Sequence, residues 1–259
     1  NEWRELIMKL IKEFFEIFDR ENFTYRRGEK KTKTLFKNTH EKWKEWSFGL
    51  GSKYYKFDDK PDVKQWQNSG ALCSDFWTRL KYTPFKNSAS CVSLYVTNKE
   101  FVIELCYEYS NNNSELSMEE YNKLLLENLD EWIEKHNVDT KLYYIYYDDG
   151  EGSEGHGILL NEYLETKDRS KAKLTNLDEK RITVGVLFKK KDIVALDTEL
   201  KALQDIIIKL SHLYEKVQIP HRIFDSLIVA QELIPNEYDG SYELVSESIN
   251  AYRNIPLDK

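Results

Sequence analysis

The sequence reads ASCVSLYVTNKEFVIELCYEY from Ala89 to Tyr109, and this stretch decides the fold. On both sides of Asn98-Lys99, apolar residues alternate with other residues, which is the period of a strand with one buried face. Two such runs joined by a short polar turn predict a β-hairpin. The apolar residues of the two runs are Val92, Leu94, Val96, Phe101, Ile103, Leu105 and Tyr107.

Helical periods lie on both sides of this hairpin. Residues 2–19 carry apolar side chains at three- and four-residue steps, which predicts an amphipathic helix. Ser117-Met118-Glu119-Glu120 is a capping box, and it predicts a helix over about 118–136. From Ile193 a long apolar stripe continues to Pro220, where proline ends the helix. Two further helical patches follow, at 222–233 and 241–252.

The remaining segments predict short strands, a short helix and loops. Residues 142–147 and 181–188 have the composition and alternation of strands, and 158–164 is typical of a short helix. Between Tyr25 and Lys44 the residues Lys, Arg and Thr dominate, which predicts a basic loop or a sheet edge. Ring-rich segments then alternate with turn formers: 45–48, Gly49, Gly51, 53–57, Pro61, Asn68-Ser69-Gly70 and 76–82.

We therefore expect an α+β fold, with a mixed or antiparallel sheet, flanking helices and a helical C-terminal end. Residues 1–190 are predicted to form one recognition body, and residues 191–259 to form helices that pack on it or lead to a further domain. No apolar run is long enough to cross a bilayer and no signal-peptide pattern is present, so we expect a cytoplasmic protein with no membrane partner. The three cysteines lack C-x-x-C spacing, which predicts buried free thiols in apolar surroundings.

Charge is strongly segregated along the chain. Residues Arg26 to Lys99 hold sixteen Lys or Arg and seven Asp or Glu, whereas the whole chain has a net charge of −7. The same stretch is rich in Trp, Tyr and Phe, so cations and flat rings are interleaved. Cations hold phosphates and rings stack on bases, which makes this the composition of a nucleic-acid surface. The alternative is that the rings form the core and the lysines form its solvated face.

Catalytic and cofactor motifs are weak. Gly150 to Gly155 fits the dinucleotide pattern G-x-G-x-x-G, but its acidic residues would repel a pyrophosphate. The five histidines never form H-E-x-x-H, and no G-x-S-x-G elbow, P-loop or catalytic-cysteine signature appears. We therefore predict no metal, no cofactor and no catalytic residue. One alternative is a metal-dependent nuclease or base-modifying enzyme that uses Asp62, Glu104 or Asp178. Another is a protein-interaction domain with an aromatic core and acidic C-terminal helices that dock a partner.

The most suggestive cluster is Ser47-Phe48-Gly49-Leu50-Gly51. Two glycines allow a sharp turn that would present Leu50 at its tip as an apolar wedge between bases. The alternative is a β-turn with Leu50 in the core. Rings and an amide lie downstream, and together they have the chemistry of a pocket for a flipped base. The candidate pocket residues are Trp46, Tyr54, Tyr55, Trp66, Asn68 and Trp77, and the candidate phosphate contacts are Lys53, Lys56, Arg79 and Lys81.

This cluster, with the later helix ending Lys216-Val217-Gln218-Ile219-Pro220, resembles the N-terminal DNA-recognition region of McrB-type modification-dependent restriction GTPases. The Pro-Trp that follows the glycines in that family is replaced here by Lys53-Tyr54-Tyr55-Lys56. The resemblance implies a non-catalytic module of a bacterial antiviral restriction system, which binds double-stranded DNA and flips a modified base. It implies that Leu50 enters the DNA, and that GTPase and nuclease subunits of the same system act as partners.

Overall fold

The computed structural model describes residues 11–20, 29–52, 62–82, 85, 88–108, 116–148, 157–166, 181–191 and 200–218. Its helices in this part of the chain are α1 (residues 11–16), α2 (Lys30–Ser52), α3 (Met118–Lys135), α4 (Leu160–Glu165) and α5 (Leu200–Lys216). The strands are β1 (Asp62–Val63), β2 (Gln67–Asn68), β3 (Ala71–Leu72), β4 (Phe76–Leu80), β5 (Ser90–Val96), β6 (Glu100–Tyr107), β7 (Tyr144–Asp148), β8 (Ile158–Leu159) and β9 (Arg181–Lys189).

Seven of these strands form one antiparallel sheet in the order β1-β4-β5-β6-β9-β7-β8, while β2 and β3 form a separate hairpin. The predicted hairpin is confirmed at the centre of the large sheet, where β5 pairs with β6 from Ser90 opposite Tyr107 to Val96 opposite Phe101. The α+β fold class is thereby confirmed, and the sheet is of the antiparallel kind.

One face of the sheet carries the main apolar core. Leu94 of β5, Ile103 of β6 and Val186 of β9 lie side by side on this face and are completely buried. Helix α5 packs on β5 and β6, α3 packs on β9 and on α5, and α2 packs on β4. Helix α1 and the turn after it join this layer through ring contacts of Phe14 with α2 and of Phe18 with β4. The helices therefore cover one side of the sheet, which we call the helix face.

The opposite side, which we call the polar face, has a different composition. Because side chains alternate along a strand, the residues between the core positions of β4, β5, β6, β9 and β7 point to this side. Many are polar and nevertheless buried, including Ser93, Glu104, Glu108 and Thr183. The polar face includes Asp62, Trp77, Arg79, Lys81, Cys91, Ser93, Glu104, Cys106, Glu108, Tyr146, Thr183 and Gly185.

The predicted basic loop or sheet edge between Tyr25 and Lys44 is wrong from Lys30 onward, because α2 covers this region. Its buried residues recur at three- and four-residue steps, although they mix apolar and polar types: Phe36, Thr39, His40, Trp43, Ser47 and Leu50. Polar members are compatible with burial where they find partners; for example, the Ser47 and Thr78 hydroxyl oxygens are 2.8 Å apart. The turn predicted at Gly49 and Gly51 is also wrong, since both glycines are helical.

Several other elements agree with their predictions. The capping box of α3 is complete, because Ser117 accepts a hydrogen bond from the Glu120 N–H and the Glu120 carboxylate accepts one from the Ser117 N–H. Residues 11–16 of the predicted first helix are helical, and α5 lies within the apolar stripe that starts at Ile193. The predicted segments 53–57, 222–233 and 241–252, and the glycine motif at 150–155, lie outside the described residues. The division at 190/191 stays a prediction.

Candidate nucleic-acid interface

A row of lysines lies along one flank of α2. Lys30, Lys37 and Lys44 are spaced seven residues apart, which places them on one side of the helix at intervals of about 10.5 Å. All three are exposed, and Lys33 lies on the same flank. We call these four residues the lysine stripe. Helix α2 holds six lysines against two glutamates, so its exposed surface is positively charged.

The lysine stripe continues into the β2–β3 hairpin through an aromatic contact. The Nζ of Lys33 lies 5.7 Å from the centre of the Trp66 ring, and this half-buried ring packs at 6.5 Å from Phe36. The hairpin turns at Ser69 and Gly70, which both have positive φ, the geometry of a two-residue type I′ turn. The predicted turn at Asn68-Ser69-Gly70 is therefore confirmed, and Asn68 is exposed at the hairpin end.

The placement of two lysines opposes helix stability. Lys30 and Lys31 lie in the first turn of α2, which contains no acidic residue. The N-terminus of a helix carries a partial positive charge, so each cation there costs about 0.3–1 kcal/mol, whereas an anion bound there gains a similar amount. Glu29, whose carbonyl oxygen accepts a hydrogen bond from the Lys33 N–H, directly precedes this turn, so one carboxylate and two cations lie at the start of α2.

A second group of predicted residues meets on the polar face. Trp77, Arg79 and Lys81 alternate along β4 and the residue that follows it, so they share one side. The Arg79 guanidinium lies 4.6 Å from the centre of the Trp77 ring, and Trp77 Nε1 donates a hydrogen bond of 2.7 Å to Ser93 Oγ. Arg79 forms ion pairs with Asp62 at 3.3 Å and Glu108 at 3.2 Å.

Lys81 contributes to the same cluster. Its Nζ lies 3.4 Å from Glu108 Oε2 and donates a hydrogen bond of 2.8 Å to the Ser88 carbonyl oxygen. Arg79 and Lys81 therefore balance carboxylates of the protein itself.

Further along the polar face, Glu104 reaches across β9 to β7, where Tyr146 Oη donates a hydrogen bond to it. Gly185 lies between them in β9, paired with Glu104 on one side and Tyr144 on the other. A Cβ atom at Gly185 would lie 2.6 Å from the Glu104 Cβ, so the glycine makes this crossing possible.

Two cysteines face each other in the middle of the polar face. Cys91 and Cys106 are opposite in the β5–β6 ladder, and their sulfur atoms are 3.7 Å apart. Burial raises the pKa of the Cys91 thiol, and the hydrogen bond between the two sulfur atoms lowers the pKa of Cys106. All three cysteines are free, as predicted; Cys91 and Cys106 are buried, whereas Cys73 is half-buried, so the predicted burial is wrong for Cys73. The apolar surroundings predicted for them are wrong for this pair, because their neighbours on the face include Ser93 and Lys81.

The structure separates the other residues predicted for the site. Leu50 is 1% exposed in the core, so the expectation that a turn presents it at its tip is wrong. Trp46 lies on the helix face against Phe14 and Phe101, on the opposite side of the sheet from Trp77. These two rings cannot line one pocket. Lys53, Lys56, Tyr54 and Tyr55 lie outside the described residues.

The residues of the nuclease alternative are also separated. Asp62 belongs to β1 and Glu104 to β6, with β4 and β5 between them, which corresponds to about 14 Å at the usual spacing of strands. Asp178 lies outside the described residues. Among the residues that the structure describes, no group of three or more His, Cys, Asp or Glu side chains is arranged to hold a metal ion.

Sequence reasoning missed Glu108 and Gly185. Glu108 continues the alternation of Glu104 and Cys106 along β6, so its side of the sheet was readable from the hairpin sequence. Its contact with Arg79 depends on how β4 pairs with β5, and this register is not visible in a single sequence.

A protein-family model matches residues 10–217, which is most of the chain and includes every described element, and the chain belongs to that family. A search of curated proteins gave no match. None of the helices in the described part of the chain is both long enough and apolar enough to cross a membrane.

Proposed function

We propose that this chain is a DNA-binding module whose phosphate-binding surface is the lysine stripe of α2. The observation that carries the proposal is the row of exposed lysines that continues into the half-buried Trp66 ring. Each lysine that neutralises a phosphate releases counterions, which is the main source of affinity for nucleic acids. The ring at the end of the row provides a flat surface on which a base can stack.

The finer form of the proposal comes from the resemblance to the DNA-recognition region of McrB-type restriction GTPases. In this form the module recognises a modified base for a bacterial antiviral system in the cytoplasm, while partner GTPase and nuclease subunits perform the cleavage. Insertion of Leu50 into the DNA is not part of the proposal, because that side chain is packed in the core. Trp66 and Trp77 are half-buried and supply the rings available to a base.

The proposal is tested by reversing charge on the lysine stripe. We expect the triple variant Lys30→Glu, Lys37→Glu and Lys44→Glu to weaken binding of a short duplex by about 100-fold or more at low salt. The slope of log K against log salt should fall by roughly 0.9 for each phosphate that the variant no longer neutralises. The measurement is a fluorescence-anisotropy titration from about 50 to about 200 mM salt.

A matched control changes the same net charge elsewhere. Lys123, Lys141 and Lys201 are exposed outside α2, and their triple change to Glu should reduce affinity far less. The Lys30→Glu change also places a favourable charge at the N-terminal end of the helix dipole, so we expect the stripe variant to remain folded. If its melting temperature equals that of the wild type, weaker binding cannot be ascribed to unfolding. Equal effects of both triple variants, or no duplex binding by the wild type at low salt, would refute the proposal.

A further inference from the structure

The central hairpin places two thiols in contact with each other. Cys91 of β5 and Cys106 of β6 are directly opposite in the antiparallel ladder, so both side chains point to the polar face. Their sulfur atoms lie 3.7 Å apart and share a hydrogen bond. Both residues are buried, with exposures of 0% and 1%. The third cysteine of the chain, Cys73, follows β3 of the separate hairpin.

The backbone at this pair has the spacing that a disulfide requires. Directly opposite residues in an antiparallel pair have Cα atoms about 4.5–5.5 Å apart, and disulfides join residues whose Cα atoms are about 4.4–6.8 Å apart. The ladder pairs on both sides, Ser90 with Tyr107 and Val92 with Leu105, hold the register. The two sulfur atoms can therefore bond after rotation of the side chains, without a change in strand pairing.

The charges around the two sulfur atoms favour reaction at one of them. Lys81 and Arg181 lie close enough to favour a thiolate, while Glu108 opposes it. The hydrogen bond between the sulfur atoms, with a smaller contribution from Arg181, lowers the pKa of Cys106, whereas burial raises the pKa of Cys91. Because the thiolate is the nucleophile in thiol oxidation, Cys106 is the thiol that reacts first.

We propose that Cys91 and Cys106 form a peroxide-sensitive thiol pair, which closes to a disulfide in the folded protein and opens again with a thiol reductant. Because both residues are buried, the oxidant has to be as small as hydrogen peroxide. The oxidised protein then carries a covalent link between the two central strands of the sheet. The proposal does not depend on DNA binding.

The reaction proceeds in two steps. The Cys106 thiolate attacks one oxygen of hydrogen peroxide and the O–O bond breaks, which leaves a sulfenic acid on Cys106 and a hydroxide that takes up the thiol proton to become water. The Cys91 sulfur then loses its proton and attacks the Cys106 sulfur, and the departing hydroxide takes up that proton as a second water. Two electrons pass to the peroxide, and two thiols become one disulfide.

The test treats the whole folded chain with a molar excess of hydrogen peroxide and then counts free thiols after denaturation. We expect the count to fall from three to one, and peptide mapping without reductant to join the Cys91 peptide to the Cys106 peptide. Dithiothreitol should restore all three thiols. The same treatment in concentrated urea is the control for geometry. Cys73 is about as near to Cys91 in sequence as Cys106 is, so disulfides that include Cys73 should appear there.

Three single variants test the role of each thiol. In Cys91→Ser no thiol resolves the sulfenic acid, so dimedone, which traps sulfenic acids, should label Cys106. In Cys106→Ser dimedone should label Cys91 far less, and the matched control Cys73→Ser should still lose two thiols. The proposal is overturned if peroxide leaves Cys91 and Cys106 of the folded wild type reduced, or if either pairs with Cys73 instead. Equal dimedone labelling of Cys91→Ser and Cys106→Ser would overturn the assignment of Cys106 as the attacking thiol. The peptide map of the wild type decides on the disulfide even where a variant fails to fold.

Discussion

Replacing Gly185 with alanine tests the crossing of Glu104 over β9. The added Cβ would lie 2.5 Å from the Ile103 carbonyl oxygen and 2.6 Å from the Glu104 Cβ. These are atoms of a paired central strand and cannot rotate away, so the backbone of β6 or β9 must shift. Overpacking of this kind costs about 1–3 kcal/mol, and contact with backbone atoms favours the upper value. At about 2–4 °C per kcal/mol, we expect the melting temperature to fall by roughly 6–12 °C.

Gly49 provides the matched control. It lies in α2, is exposed, and has no neighbouring atom within 4 Å of the place that a Cβ would take. Because alanine is the better helix former by about 0.8–1 kcal/mol, Gly49→Ala should raise the melting temperature by a few degrees. Both variants are compared with the wild type by circular dichroism during thermal unfolding. An unchanged melting temperature for Gly185→Ala would refute the strand crossing, and a lower stability for Gly49→Ala would indicate the turn that the sequence suggested.

Three further substitutions test other parts of the fold. Leu50→Ala should lower the free energy of unfolding in urea by about 2–5 kcal/mol, as truncation of a buried leucine does. A negligible change would contradict the burial of Leu50. Ser117→Ala removes the N-cap of α3 and should cost about 1 kcal/mol by the same assay; no change would contradict the capping box. Burial lowers the pKa of His40 below 6.5, so the unfolded chain takes up a proton that the folded chain resists, and stability should fall as pH falls below 6.5. His40→Gln should reduce that dependence, and an unaltered dependence would contradict it.

The parts of the fold that the sequence predicts correctly are those in which local and long-range preferences agree. The β5–β6 hairpin needs only alternation and a short turn, and both lie within one continuous stretch. The capping box of α3 likewise depends on residues three positions apart, Ser117 and Glu120.

The sequence does not predict helix α2, because the residues on its buried side are a mixture of apolar and polar types. Thr39, His40 and Ser47 take core positions, and the last two bond to partners distant in sequence. His40, for example, bonds through Nε2 to the Lys64 carbonyl oxygen at 2.8 Å. Gly49 and Gly51 then suggest a turn, although the packing of Leu50 keeps the helix intact past both of them. Tertiary contacts overrode local propensity here.

The sequence predicts only part of the candidate site. Trp77, Arg79 and Lys81 alternate along one strand, so their common side follows from the sequence alone. That Trp46 lies on the other side of the sheet follows only once α2 is known to be a helix packed on the helix face.

Helix α2 and strand β4 are connected through Lys64 at one edge of the sheet. The His40 ring of α2 donates to the Lys64 carbonyl oxygen, and the Lys64 N–H donates to the Trp77 carbonyl oxygen at 2.9 Å. Two consecutive hydrogen bonds thus tie the helix that bears the lysines to the strand that bears Trp77 and Arg79. Within the described residues, β1 pairs with β4 only at Asp62 and Val63, so Lys64, which directly follows this short strand, is the residue that links the helix to the sheet edge.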